Sequence, residues 1–106
     1  MREMLPGRRN NESFDVEFPV MSGRRVIVTV GYMDDWRVGE VFLAVDKQTG
    51  TGGDVAARDT AILISLALQH GCPLRTLADA TTKTADGTPE GLAGIVLEAL
   101  ATRGAA

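Results

Sequence analysis

The chain is poor in the residues that carry most metal and nucleophile chemistry, with one cysteine, Cys72, and one histidine, His70. A single thiol excludes an internal disulfide framework and a cysteine-cluster zinc or iron–sulfur site, and it suits a reducing compartment. Aromatic residues make up only 5% of the sequence, with one tryptophan and one tyrosine. A basic excess is missing too: the net charge is -3, which argues against a domain that coats phosphate backbones and so against nucleic acid as a partner. No long apolar run follows Met1. The first residues are charged or turn-forming, which predicts neither a secretion signal nor a membrane span and makes the cytoplasm the expected location.

What is present is ordinary globular material, 44% hydrophobic and 24% charged over 106 residues, enough for one domain with its own core. Pro6-Gly7 breaks an Arg-rich opening, so residues 1–12 read as an N-terminal arm, 13–103 as a single domain and 104–106 as a tail. Phe14, Val16, Phe18 and Val20 alternate with Ser13, Asp15 and Glu17, the period of a half-buried strand. Ser22-Gly23 turns the chain into a second strand with Val26, Val28, Val30 and Tyr32 on one face. After a turn at Met33–Arg37 comes a third strand, Glu40–Val45. Its run Val41-Phe-Leu-Ala-Val45 is apolar on both faces, which predicts cover on both sides.

Three helices follow. The first, from about Asp54 to His70, is apolar almost all round, with Ser65 the only polar break from Ala61 to Leu68, and the expectation is burial on several sides, inside the domain or at a subunit contact. It ends at Gly71, and Pro73 opens a short helix to about Thr81 with Leu74 and Leu77 inward. Thr88-Pro89-Glu90 reads as the cap and first turn of a last helix, with Leu92, Ile95, Val96 and Leu100 as its apolar stripe, to about Thr102. The predicted fold is therefore α+β: a three-stranded antiparallel meander, then a long buried helix and two shorter ones.

The Gly-rich turn Thr49-Gly-Thr-Gly-Gly53 before the first helix could offer backbone N–H groups to an anion, with Lys47 nearby. An ordinary sheet-to-helix turn is the plainer reading, because a P-loop ending is missing and Asp54 would compete as N-cap. A ligand site is nevertheless placed at Lys47, Thr51, Gly52 and Gly53, with Arg8 and Arg9 as arm contacts. His70 suits a helix C-terminus better than a metal or acid–base work, and Cys72 reads as a small buried residue rather than a nucleophile. Asp34, Asp35 and Glu40 crowd one turn as solvated charges. Asp59 opens the apolar part of the helix and asks for a partner, with Arg8 or Arg9 as candidates. Trp36 is either packed or an interface anchor. No residue is assigned a catalytic or metal-binding role.

The strings Arg2-Glu-Met-Leu-Pro6 with Arg9, Val28-Thr-Val-Gly31, Gly39-Glu-Val-Phe-Leu43, Lys47 with Gly50, and Ser65-Leu-Ala-Leu-Gln69 with Gly71 and Pro73 run in order over residues 2 to 77. Together they resemble the C-terminal accessory region of adenosylcobalamin-dependent ribonucleotide reductases, the TSCPD domain. The Thr-Ser-Cys-Pro-Asp string of that name is absent, and Asp86-Gly-Thr-Pro-Glu90 stands in the comparable place without its cysteine. What the resemblance implies is a link to ribonucleotide reduction and deoxyribonucleotide metabolism, with a ribonucleotide reductase or a nucleotide as partner. The family's enzymes use adenosylcobalamin, a thiyl radical and a pair of reducing thiols held in a large barrel. One thiol in 106 residues excludes that chemistry for this chain alone, so no cofactor is expected on it. Three functions compete: a stand-alone, non-catalytic binding or regulatory module, a structural homodimer, and a small enzyme using His70, Cys72 or the acids.

Overall fold

Valine at every second position of the second strand sets the plane of the core. In the computed structural model, which describes residues 1–18, 25–45 and 52–103, Val26, Val28 and Val30 are fully buried. They lie on β2 (Arg25–Tyr32), the central strand of an antiparallel sheet ordered β1-β2-β3. β1 (Asn11–Glu17) brings Phe14 opposite Val28 and Val16 opposite Val26. β3 (Val38–Val45) brings Val41, Leu43 and Val45 opposite Val30, Val28 and Val26. Because side chains alternate along a strand, these residues form one apolar face, and the helices cover it.

α1 (Gly52–Gln69) lies along β3, α2 (Leu74–Ala80) packs on α3 (Leu92–Thr102), and α3 reaches α1 and β1. Together with Leu74, Ala78, Val96, Leu97 and Leu100, the inward side chains of the sheet and of α1 make a single core. The meander followed by three helices is thus the α+β fold that the periodicity predicts. No helix among the described residues is long and apolar enough to cross a membrane.

Two expectations about burial are corrected. α1 is not buried on several sides: Ala57, Ala61, Ile64 and Leu68 face the core, whereas Val55, Ile62 and Leu63 are exposed, Leu63 by 67%. A three-stranded sheet offers α1 one face to cover, and the residue spacing 57, 61, 64, 68 is the narrow stripe that such a contact uses. Likewise the second face of β3 is uncovered at Phe42, which is 57% exposed, and at Ala44, and is covered only locally, at Glu40.

Helix boundaries also shift. α1 starts at Gly52, so Gly52, Gly53 and Asp54 belong to its first turn and Asp54 is not its cap. Its end follows the reading: Gly71 has φ +91, with Gly71 N–H on the Leu68 carbonyl and Cys72 N–H on that of Ala67, the paired bonds of a Schellman close. α3 starts at Leu92 with Gly91 as its cap, later than Thr88-Pro89-Glu90 suggests. Pro89 is instead paired with Lys83 in an isolated bridge, and the Glu90 N–H bonds the Thr82 carbonyl, so these residues close a small loop before the helix begins. The Lys83 ammonium donates to the carbonyls of Ala78 and Thr81, meeting acceptors that α2 leaves at its C-terminus. Val20, the Ser22-Gly23 turn, Lys47, Gly50, Thr51 and the tail lie outside the described residues.

Candidate binding surface around Glu40 and Phe42

The face of the sheet away from the helices carries Ile27, Thr29, Gly31, Glu40, Phe42 and Ala44, and it is open to solvent at Ile27 and Phe42. Glu40 is the exception, with only 9% exposure. Its burial comes from both sides of the register. Gly31 sits directly opposite, and the Glu40 side chain lies over it so closely that a Cβ there would stand 2.6 Å from Glu40 Cγ. From above, Arg9 of the arm donates its Nε–H to Glu40 Oε2, and its Nη1 donates to the Pro6 carbonyl at 2.8 Å. That bond to Glu40 is the main reason the Arg9 guanidinium is held more firmly protonated than usual.

The rest of the arm is fastened to α1 and to the β2–β3 turn. Arg2 Nε donates to Gln69 Oε1 at 2.6 Å, and the Glu3 N–H donates to the Gln69 carbonyl at 2.7 Å. The Glu3 carboxylate takes two bonds from Arg37, which also holds Asp35. Both carboxyls are lowered from their ordinary values chiefly by these Arg37 bonds. Gln69 in turn, 3% exposed, donates its Nε2–H to the Gly39 carbonyl.

Two clefts result, with Glu40 and Phe42 in both. One is bounded by Gly7, Arg8, Arg9, Asn10 and Asn11 of the arm. The other, about 560 Å³, is a groove between the β3 edge and α1, walled by Phe42 and Leu43 on one side and by Ile62 and Leu66 on the other, with Arg2 and Arg58 also lining it. Glu40 is the one carboxylate among the residues lining either cleft. This is an apolar trough with a basic border in a chain whose net charge is -3.

Of the residues expected to form a ligand site, Arg8 and Arg9 line the arm cleft. Lys47 and Thr51 lie outside the described residues, and Gly52 and Gly53 are described only as helical backbone. Arg9 pairs with Glu40, and Asp59 is exposed, so the expected need of Asp59 for an arm arginine does not arise. Trp36 is 60% exposed at the β2–β3 turn, with φ +67 and its ring 5.5 Å from that of Tyr32. Asp35 pairs with Arg37 and Asp34 is exposed, but Glu40 is not the solvated charge expected of that turn, since it lies buried over the sheet with Arg9. His70 is exposed, and no group of three or more metal-ligating side chains occurs among the described residues.

Sequence reasoning did not single out Phe42, Ile62 or Gln69 as surface-forming. The signal was present for Glu40, a carboxylate inside an apolar strand, but its partner Arg9 lies 31 positions away. Cys72 is half-buried and lines a separate cleft of about 270 Å³ with Arg37, Val38, Leu68, Gly71, Pro73 and Leu74. That volume is below the roughly 300–1,000 Å³ of pockets for drug-sized ligands. The described residues therefore do not fit a corrinoid there.

Residues 6–103 match the family model described as the TSCPD domain. The chain is 36% identical over 83 residues to the vitamin B12-dependent ribonucleotide reductase of Bradyrhizobium diazoefficiens, covering 78% of this chain and 6% of that protein. Against the protein of the same name from Agrobacterium fabrum it is 35% identical over 83 residues, with the same coverage. It thus spans a small fraction of the length of these relatives. No solved structure matches it. A match over residues 6–103 makes this chain a member of the TSCPD domain family.

Proposed function

We propose that this chain is a non-catalytic binding module in the cytoplasm that serves ribonucleotide reduction, associating with a ribonucleotide reductase, a nucleotide or both. The observation that carries the reading is the trough around Glu40 and Phe42: an exposed aromatic over an open sheet face, bordered by Arg2, Arg8, Arg9 and Arg58. Arginine borders suit carboxylate and phosphate, and exposed aromatics suit a planar or apolar group. The relatives, named as vitamin B12-dependent ribonucleotide reductases, carry the matching segment as 6% of a far longer chain. A domain in that position serves by contact with a larger body.

A second reading is a homodimer closed over the outer face of α1, favoured by the exposure of Val55, Ile62 and Leu63. Calorimetry with a purified vitamin B12-dependent reductase and with ribo- and deoxyribonucleotides tests the first reading. Binding to any of them supports it, and silence from all of them removes it. Sedimentation of the chain alone tests the second: a strict monomer at high concentration counts against it.

A further inference from the structure

We infer that the groove between the β3 edge and α1 is a docking site for an amphipathic helix of acidic character on a protein partner. The inference rests on the proposal that this chain is a binding module, and it names the chemistry of what is bound. An unpaired edge strand ordinarily invites another strand. Here that mode is blocked at Gly39 and Val41. Ser65 Oγ accepts the Val41 N–H and donates back to the Val41 carbonyl, and Gln69 Nε2 occupies the Gly39 carbonyl. A strand added at this edge would find those groups taken. The occupant must bring a backbone already satisfied within itself, and a helix does so.

The dimensions agree with a short helix. Arg58 and Gln69 both line the groove, and they are eleven steps apart along α1 (69 − 58), about 16 Å at 1.5 Å per residue. Arg2 stands at the Gln69 end through its hydrogen bond to that side chain. A parallel or antiparallel partner of three turns spans the same distance. Between the ends, Phe42 (57% exposed) and Ile62 (55% exposed) form opposite walls, with Leu66 deeper. This matches apolar anchors at i, i+4 and i+7 on one face of the occupant.

Charge selects the sign. Arg9 is neutralised by Glu40, whereas the hydrogen bond of Arg2 goes to a neutral amide and Arg8 has no ion pair among the described residues. A helix with carboxylates flanking its apolar anchors complements this border, and a basic one is repelled. A nucleotide or a second copy of this chain are the competing occupants, and the experiment separates them.

The test is selection from a displayed library of helices about 14 residues long, near the length at which isolated helices become marginal, stapled on the outer face, with apolar anchors at i, i+4 and i+7 and randomised flanks. The expected result is enrichment of acid-flanked sequences. They should lose at least tenfold in affinity on Ile62→Asp and on Phe42→Asp, exposed sites where circular dichroism and melting temperature stay unchanged. Arg2→Glu should shift the selection away from acid-flanked helices and toward lysine-flanked ones. No enrichment, enrichment of basic or extended sequences, or binders indifferent to Ile62→Asp overturns the inference. So does a dimer of the chain alone that Ile62→Asp dissociates. If a reductase or nucleotide binds with the same affinity to wild type and Ile62→Asp, the docking inference falls while the binding-module reading stands. If neither a helix, a reductase nor a nucleotide binds, both fall.

Discussion

Ser65 holds both outward backbone groups of Val41: its Oγ accepts the Val41 N–H at 2.8 Å and donates to the Val41 carbonyl at 3.3 Å. The polar break in an otherwise apolar helix is thus the feature that seals the edge strand beneath it. With Gln69 one turn further on, bound to the Gly39 carbonyl at 2.8 Å, the helix substitutes for a fourth strand. Ser65→Ala removes the hydroxyl without adding bulk against β3. It should cost about 1–3 kcal/mol, because the Val41 groups lose their partner without regaining water. Urea unfolding checks the loss. Sedimentation should also show more self-association, since the edge is reopened; an unchanged stability and size would mean that Ser65 is incidental to the sheet.

Gly31 makes the same kind of prediction on the open face. A methyl at this position would stand 2.6 Å from Glu40 Cγ and 2.9 Å from Glu40 Cδ, so the carboxylate must leave its place over the sheet and release Arg9. Gly31→Ala should destabilise by about 1–3 kcal/mol, as overpacking does, and should free the arm. Proteolysis near Arg8 and Arg9 then rises more than global unfolding explains. Glu40→Gln, which keeps the volume and an acceptor for Arg9, should leave the arm protected.

Much of this was legible in the sequence, and what was not has a common cause. Val26, Val28 and Val30 announced β2 because strand periodicity is local, and Gly71 with Pro73 announced the end of α1 for the same reason. The extent of burial was misread at Ile62, Leu63 and Phe42, because apolarity says what a residue tolerates and only the number of covering layers says what it receives. The start of α3 was placed too early, since Thr88-Pro89-Glu90 has the composition of a cap while Pro89 is held by Lys83. The basic trough was half visible, through Arg8 and Arg9. Its other half depends on Glu40, Phe42 and Ile62 meeting across separate elements, which no window of sequence contains.

Acid should loosen the seam between the two chain ends. Glu12 accepts the Tyr32 hydroxyl at 2.8 Å and pairs with Arg103, whose guanidinium also lies 3.8 Å over the Phe14 ring. The Tyr32 bond first, and the Arg103 bond second, hold the Glu12 carboxyl below its ordinary 4.5. Its folded value is lower than its unfolded one, so its contribution is fully present above the unfolded value and is lost as pH falls through the folded one. Asp86, lowered by the Thr84 hydroxyl and then by Thr88, acts in the same direction. Tyr32, raised above 10.0 by burial and then by Glu12, acts at the other end, losing its contribution as pH rises through the folded value. Melting temperature should therefore be level between about pH 5 and 8 and fall on the acid side. In Glu12→Gln the acid slope should be shallower; an identical slope would remove Glu12 from the account.

The two faces of α1 should respond oppositely to substitution, which separates the one-sided packing seen here from burial all round. Ile64 is 6% exposed and its neighbour Leu63 is 67% exposed, though both are large aliphatic residues in the middle of the same helix. Ile64→Ala removes side-chain volume from the core between α1 and β3 and should cost about 2–5 kcal/mol. Leu63→Lys replaces an exposed leucine by an equally good helix former and should change stability by no more than about 0.5 kcal/mol. Chemical denaturation of the two variants, run at several protein concentrations, checks both values. If Leu63→Lys costs as much as Ile64→Ala and the loss grows with protein concentration, the outer face of α1 is covered by a second copy in solution. A small, concentration-independent effect leaves that face, with Ile62 one residue before it, open for a different partner.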